Sequence, residues 1–266
     1  MLSGQKPSRE LDSTEVISLT FRLYRKKFLH FFVPFLVQAI VLGAFTYWVT
    51  SSFPIPEPPA IPAEVTMDYY DELLPWFYSF ISTVITIGVL SGLTSWIVNT
   101  TTTGVLVKYA SDQIEKGSAS LTECLSFALS KLPSLLPAQL IAGILIVIGF
   151  VFFVVPGIIL AIMFALIIPA IIIEQVGPFE SITRSRTLVK NRWQNTFIVG
   201  LLLAMISVIA TLAVMLLTMP FTATSLTVDP FISNITLAVI GPLYPIAITF
   251  LYYSMKTREN PEQQTT

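Results

Sequence analysis

The sequence predicts an all-α polytopic membrane protein of six transmembrane helices, paired as three hairpins. The 266-residue chain is 54% hydrophobic and only 12% charged, whereas about 25% of the residues of a soluble domain are charged. Its mean hydropathy is +0.76. The apolar residues form long blocks rather than the spaced pattern of a soluble core, which indicates a bilayer as the solvent. A net charge of −1 excludes a nucleic-acid partner, because such binding needs a concentrated basic surface.

Six stretches are long enough to cross, or nearly cross, a hydrocarbon core of about 30 Å. They lie at residues 31–50, 76–98, 136–155, 158–173, 196–218 and 232–253. Pro156-Gly157 separates the third stretch from the fourth, and so short a connection predicts a hairpin. A helix over residues 76–110 would be about 52 Å long at about 1.5 Å per residue, so we expect it to tilt, break or project from the membrane.

The distribution of charge predicts the orientation of these spans. If the N-terminus is cytoplasmic, all 15 Lys and Arg residues fall in segments on the cytoplasmic side and none falls on the other side. Because cytoplasmic loops are enriched in Lys and Arg, this pattern predicts six spans in the cell membrane with both termini in the cytoplasm. The other side is acidic, with Glu57, Glu64, Asp68, Asp71, Glu72 and Asp229. The proline-rich acidic loop at 51–75 is predicted to be extended and semi-rigid.

Three similar segments precede the odd-numbered spans. EVISLTFRLYRKKF, ECLSFALSKLPSLL and ESITRSRTLVKNRW align without gaps from Glu15, Glu123 and Glu180. We interpret the chain as one membrane domain of three repeats, at about 13–111, 120–174 and 178–256. Each repeat is predicted to be an amphipathic elbow helix on the cytoplasmic side followed by a transmembrane hairpin. Chance similarity among amphipathic segments is the alternative.

Local signals predict where the three elbow helices begin and which small residues they share. Asp12-x-x-Glu15 and Ser120-x-x-Glu123 have the spacing of capping boxes, and a proline after Gly177 suits the first helical turn. The fifth residue after each aligned glutamate is small, namely Thr20, Ala128 and Ser185.

The third elbow contains the candidate site residues. Its basic residues are Arg184, Arg186, Lys190 and Arg192. At about 100° per residue, one apolar face is predicted to hold Phe179, Ile182, Val189 and Trp193. Arg186 falls inside this apolar arc and needs a partner, because desolvating an arginine alone costs several kcal/mol. Glu174, at the end of the fourth span, is the nearest candidate.

Two interpretations of these residues stay open at this point. In the first, Glu174 and the basic residues form a structural ion pair that joins the hairpin to the elbow. Alternatively, Arg184, Arg186, Lys190 or Arg192 contacts a lipid phosphate or a substrate.

Gly88 and Gly92 are candidate helix-packing residues. They form a GxxxG motif in the second span. Motifs of this kind allow two helices to approach closely, so we expect a neighbouring helix here, either in the same chain or in an oligomer.

The residue types of the chain predict that it is not an enzyme. Cys124 and His30 are each the single residue of their kind, so neither a cysteine metal site nor a histidine cluster is expected. No nucleophile elbow, P-loop, HExxH or dinucleotide-binding motif occurs. We therefore predict no catalytic residue, no metal site and no cofactor.

Residues 156–188 resemble a known family. The resemblance rests on PGIIL from Pro156, then Pro169, Glu174, Gly177 and RSxxL from Arg184. This pattern is similar to prokaryotic six-span proteins called the membrane domain of glycerophosphoryl diester phosphodiesterase, and to related uncharacterised archaeal and bacterial membrane proteins. The resemblance implies a hairpin fold, a prokaryotic cell membrane and an association with lipid or glycerophosphodiester handling. It does not imply phosphodiesterase activity, which needs paired histidines and metal-binding carboxylates in a soluble barrel.

These observations predict a non-enzymatic multi-pass membrane protein that assists membrane or lipid homeostasis or transport, with membrane lipids as its partners. The first alternative is a structural or scaffold subunit of a membrane complex, which holds a membrane-protein partner or a second copy through the small residues of the second span. The second alternative is a channel or exporter for an apolar solute.

Overall fold

A computed structural model describes residues 6–7, 9–62, 67–190, 192–222 and 238–259. Within these ranges the chain is helical and contains no β-strand. Glu64, Asp229 and the first part of the sixth predicted span, at 232–237, lie outside the described residues.

The described residues form ten α-helices and one π-helical turn. They are α1 Ser13–Lys26, α2 Phe28–Ser52, α3 Met67–Lys116, α4 Leu121–Ser130, α5 Leu132–Phe152, α6 Val154–Phe164, α7 Ile167–Pro169, the π turn Ala170–Glu174, α8 Pro178–Val189, α9 Trp193–Thr222 and α10 Leu243–Glu259. A short helical run at 238–240 precedes α10.

In the part of the chain that the structure describes, six helical stretches are long and apolar enough to cross a membrane. They are Phe28–Ser52, Met67–Lys116, Leu132–Phe152, Val154–Glu174, Trp193–Leu216 and Ala238–Thr257. This confirms the prediction of an all-helical chain with six potential membrane spans.

Two connections differ from their predicted positions. The α3 helix begins at Met67 and includes Pro75, so residues 67–75, predicted as loop, are helical. The α5 and α6 helices are joined by Phe153 alone, in an extended conformation with φ −163° and ψ 153°. Pro156-Gly157, predicted as the turn, lies inside α6. Proline is tolerated in a first helical turn because the N–H that it lacks would have no helical partner there.

The chain divides into two compact units. The first contains Met1–Ala39 and Asn99–Thr266, and the second contains Ile40–Val98. All 15 Lys and Arg residues of the sequence belong to the first unit. In the second unit, the indole Nε1 of Trp76 donates to the carbonyl oxygen of Pro56 at 3.1 Å, which ties the proline-rich segment to α3.

Within the first unit, α1, α4 and α8 each stand directly before a potential span. The predicted capping box at the start of α1 is present, with the Asp12 N–H donating to the Glu15 carboxylate at 3.1 Å. Ser120 precedes α4 as predicted, but its side chain makes no capping hydrogen bond. The aligned small residues Thr20, Ala128 and Ser185 all have no exposed surface. A small side chain at that position allows the helix to pack closely on its neighbours.

Ser185 bridges a break in the fourth span. The α6 helix ends at Phe164 and α7 begins at Ile167. The Ser185 hydroxyl donates to the carbonyl oxygen of Met163 at 2.7 Å and accepts from the N–H of Leu166 at 3.1 Å. One side chain of α8 therefore satisfies two backbone groups freed by the break. Leaving such groups unpaired would be costly, because Leu166 and Ser185 are buried.

Ser185→Ala is expected to lower the free energy of unfolding by about 1–3 kcal/mol, because two backbone groups lose their partner at once. The measurement is the apparent melting temperature of the purified protein in a mild detergent. Ser126→Ala is the matched control, since Ser126 is exposed on α4 and its hydroxyl bonds only to Glu123 in its own helix. Equal melting temperatures for the two variants would contradict the bridging role.

Candidate functional site

Glu174 lies between two cations at the end of the fourth span. Its carboxylate accepts two hydrogen bonds from Arg184, at 2.8 Å from Nε and 3.0 Å from Nη2. The Nζ of Lys256, in α10, lies 2.9 Å from Oε1 of the same carboxylate. Gln175, with φ 58°, is left-handed and ends the π turn, so that the chain reverses into α8. The ion pair therefore joins the fourth span, α8 and α10.

Glu174 was the nearest candidate partner for Arg186, and the structure places Arg184 beside Glu174 instead. Two residues along an α-helix correspond to a rotation of about 200°, so Arg184 and Arg186 point in nearly opposite directions. Lys256 was not predicted as a partner, because it is distant in sequence and carries no motif.

The α8 helix buries only part of the predicted apolar face, since Val189 is buried and Ile182 packs against the core. Its buried residues are Ser181, Ser185, Leu188 and Val189. Phe179, on the same predicted apolar face, is 74% exposed. Trp193 belongs to α9 rather than to the elbow. In membrane proteins small residues line the contacts between helices while large apolar residues can face lipid, which agrees with the buried Ser181 and Ser185 and the exposed Phe179.

Arg192 makes a second ion pair of this region. Its Nη2 lies 2.6 Å from Oε2 of Glu10, in the N-terminal segment before α1. Glu10 and Arg192 are 182 residues apart, so no local sequence signal pointed to this pair. This ion pair connects the junction between α8 and α9 to the segment before α1.

Arg186 and Lys190 differ from the two paired arginines. Both are exposed, and within the described residues no acidic side chain makes an ion pair or hydrogen bond with either of them. They line a pocket of about 310 Å³. The remaining lining residues are apolar: Ile159, Ile162, Met163, Val189 and Trp193. This volume lies at the lower end of the range of small-molecule pockets, about 300–1,000 Å³.

Further polar groups are used within the fold. The Tyr253 hydroxyl donates to Glu115 at 2.8 Å and lies 2.7 Å from the Ser111 hydroxyl, which joins α10 to α3. Gln38 donates to Asn99 at 2.6 Å and joins α2 to α3. These side chains have partners in the protein, so they mark helix contacts rather than an open site.

Cys124 is the one thiol of the sequence and lies buried in α4. Burial, followed by the nearby negative charge of Asp112, raises the pKa of the Cys124 thiol to about 11. The thiol is therefore protonated at neutral pH, which is the less nucleophilic form. Among the described residues, no group of three or more His, Cys, Asp or Glu side chains has the geometry to hold a metal ion.

Gly88 and Gly92 lie in the second unit. A Cβ atom built on either glycine meets no other atom within 4 Å in the described part of this unit. Their predicted role in packing against a neighbouring helix, in the same chain or in an oligomer, stays a prediction.

The resemblance of residues 156–188 to the six-span phosphodiesterase membrane domain stays a prediction as well. Comparisons of the chain with protein-family models, with curated proteins and with solved structures return no match.

Proposed function

We propose that this protein is a non-enzymatic multi-pass membrane protein that binds anionic lipid and thereby assists membrane or lipid homeostasis or transport. One observation carries the proposal. Of the four third-elbow cations, Arg184 and Arg192 are paired with carboxylates, whereas Arg186 and Lys190 have no acidic partner among the described residues. Exposed cations beside a membrane-spanning helix attract anionic headgroups, by about 1 kcal/mol per residue near the membrane surface.

The proposal includes an orientation with both termini in the cytoplasm and with α1, α4 and α8 along the cytoplasmic leaflet. Its support is that all 15 Lys and Arg residues lie in the segments that this orientation places in the cytoplasm, in agreement with the positive-inside rule. Phe179 is 74% exposed and Trp193 is 53% exposed, and large aromatic side chains suit the membrane–water interface. The family resemblance would make this membrane a prokaryotic cell membrane.

The test compares the lipids that purified variants retain. The full chain is extracted in a mild detergent from membranes containing phosphatidylglycerol and phosphatidylethanolamine, and bound lipid is quantified by mass spectrometry. Arg186→Gln with Lys190→Gln is expected to retain about thirtyfold less phosphatidylglycerol, since the two charges contribute about 2 kcal/mol together. Arg22→Gln with Arg25→Gln on α1 removes two exposed cations that do not line the pocket beside Arg186 and Lys190, and this variant is expected to retain clearly more phosphatidylglycerol than the α8 variant. Equal retention by both variants would refute the proposal.

A scaffold subunit is the second candidate function. The observation in its favour is the open space around Gly88 and Gly92 in the second unit, which leaves a small-residue surface free for a partner helix. The same purification distinguishes the candidates, because a stoichiometric protein partner that is lost on Gly92→Leu favours the scaffold.

A further inference from the structure

The pocket beside α8 has an apolar interior and a cationic rim. Ile159 and Met163 of α6 are four residues apart, so both lie on the same face of that helix. Val189 closes α8 and Trp193 opens α9. Arg186 and Lys190 line the pocket almost entirely with the aliphatic stems of their side chains, and both residues are exposed, as expected of long basic side chains that keep the charged end in water.

The two cations stand close enough to act on one anion. The backbone N–H of Lys190 donates to the carbonyl oxygen of Arg186 at 3.0 Å, so helical spacing continues to Lys190. Residues four apart on a helix have Cβ atoms about 5–6 Å apart. A guanidinium group binds two oxygens of a phosphate at once, and a lysine adds a point charge beside it.

The lining excludes several kinds of occupant. A buried water needs about two to four polar partners, and the apolar walls offer none. A small inorganic anion would meet the rim cations but would leave the apolar interior without contacts. The fitting ligand therefore has a hydrocarbon part and one negatively charged group. Two of the three helices that form the walls belong to potential membrane spans, so the ligand is a membrane lipid.

We propose that this pocket binds one acyl chain of an anionic phospholipid, with the lipid phosphate between Arg186 and Lys190. The inference rests on the proposed function and names the place where the lipid is held. The acyl chain lies against Ile159, Met163 and Val189, and the indole of Trp193 borders the chain near the headgroup. Anionic lipid is thus held by one chain and one phosphate at the junction of the fourth and fifth spans.

Photolabelling of the full chain in vesicles tests where the acyl chain lies. The vesicles contain phosphatidylcholine with a minority of phosphatidylglycerol that carries a photoactivatable group in its acyl chain. The label is expected on the peptide that contains Ile159 and Met163, and a phosphatidylcholine probe is expected to label it about tenfold less, because it lacks the net negative charge. Equal labelling by both probes, or a label spread evenly over all spans, would overturn the inference.

A substitution that fills the pocket tests whether the acyl chain occupies it. Ile159→Trp is expected to reduce labelling of the pocket peptide about tenfold, because the new side chain occupies the space of the acyl chain. Val155→Trp is the control, since Val155 lies one turn earlier on α6, is 65% exposed and does not line the pocket. The label map of the unaltered protein decides the inference even if the filled variant is unstable.

The two proposals fail in different ways. If Arg186→Gln with Lys190→Gln loses phosphatidylglycerol but the label never reaches the pocket peptide, lipid binds at the surface of α8. The proposed function then stands and the pocket inference falls. If lipid retention is also unchanged, both are wrong.

Discussion

Gly149→Ala is expected to lower the free energy of unfolding by about 1–3 kcal/mol although it adds only one methyl group. A Cβ atom at Gly149 would lie 3.0 Å from Cα and 3.1 Å from the backbone nitrogen of Gly157, and 2.9 Å from Cδ1 of Leu160. The Leu160 methyl group can turn away, but the Gly157 backbone belongs to α6, which follows α5 after Phe153 alone. The methyl group therefore forces the two helices of this hairpin apart where they are joined most tightly.

Gly143→Ala is the control for this effect because Gly143 lies in the same helix and a Cβ atom there meets nothing within 4 Å. This variant is expected to be as stable as the unaltered protein, or more stable by up to about 1 kcal/mol, since alanine favours the helix. Tryptophan fluorescence during heating in a mild detergent provides the comparison, and the heating rate is kept constant because such unfolding is often irreversible. Equal melting temperatures for Gly149→Ala and Gly143→Ala would contradict the close approach of Gly149 to Gly157.

The spans and the helix starts were predictable because both depend on local information. A bilayer requires an unbroken apolar stretch whose length follows from the thickness of the hydrocarbon core. Asp12 and Glu15 likewise sit three residues apart in one turn, and their capping box forms as predicted. Helix packing is not local. The sequence pointed to Gly88 and Gly92 within one helix, whereas the close backbone approach of the first unit uses Gly149 and Gly157 from two helices.

The sequence identified the residues of the candidate site but not which of them form ion pairs with each other. One of its two interpretations was an ion pair between Glu174 and a basic residue of the third elbow, and Glu174 does bind one of these residues. Arg184 is that residue, because α8 turns its small serine side toward the protein and exposes Phe179. Glu10 and Lys256 reach the same region from the two ends of the described chain, and spacing along the sequence cannot reveal such partners.

Glu174→Ala is expected to have the largest effect on stability of the single substitutions proposed for this protein. It leaves the charges of Arg184 and Lys256 side by side without the carboxylate that lies 2.8 Å and 2.9 Å from them. The side chains of Glu174 and Arg184 are only 16% and 23% exposed. Removing one partner of a fully buried ion pair costs about 3–5 kcal/mol, and the partial exposure here lowers the expected loss to about 2–4 kcal/mol.

Glu123→Ala is the matched control for this substitution, because Glu123 is an exposed glutamate on α4 and its loss is expected to change the free energy of unfolding by less than about 0.5 kcal/mol.

A double variant separates two causes of the lost stability, namely the missing attraction of the ion pair and the cost of a cation left without its carboxylate. Glu174→Ala with Arg184→Met removes one of the two unpaired cations and should recover part of the stability lost by Glu174→Ala alone, since an apolar side chain can replace a desolvated ion pair. If the double variant were less stable than Glu174→Ala by the full effect of Arg184→Met, the two side chains would act independently and the ion pair would not hold α8 to the fourth span.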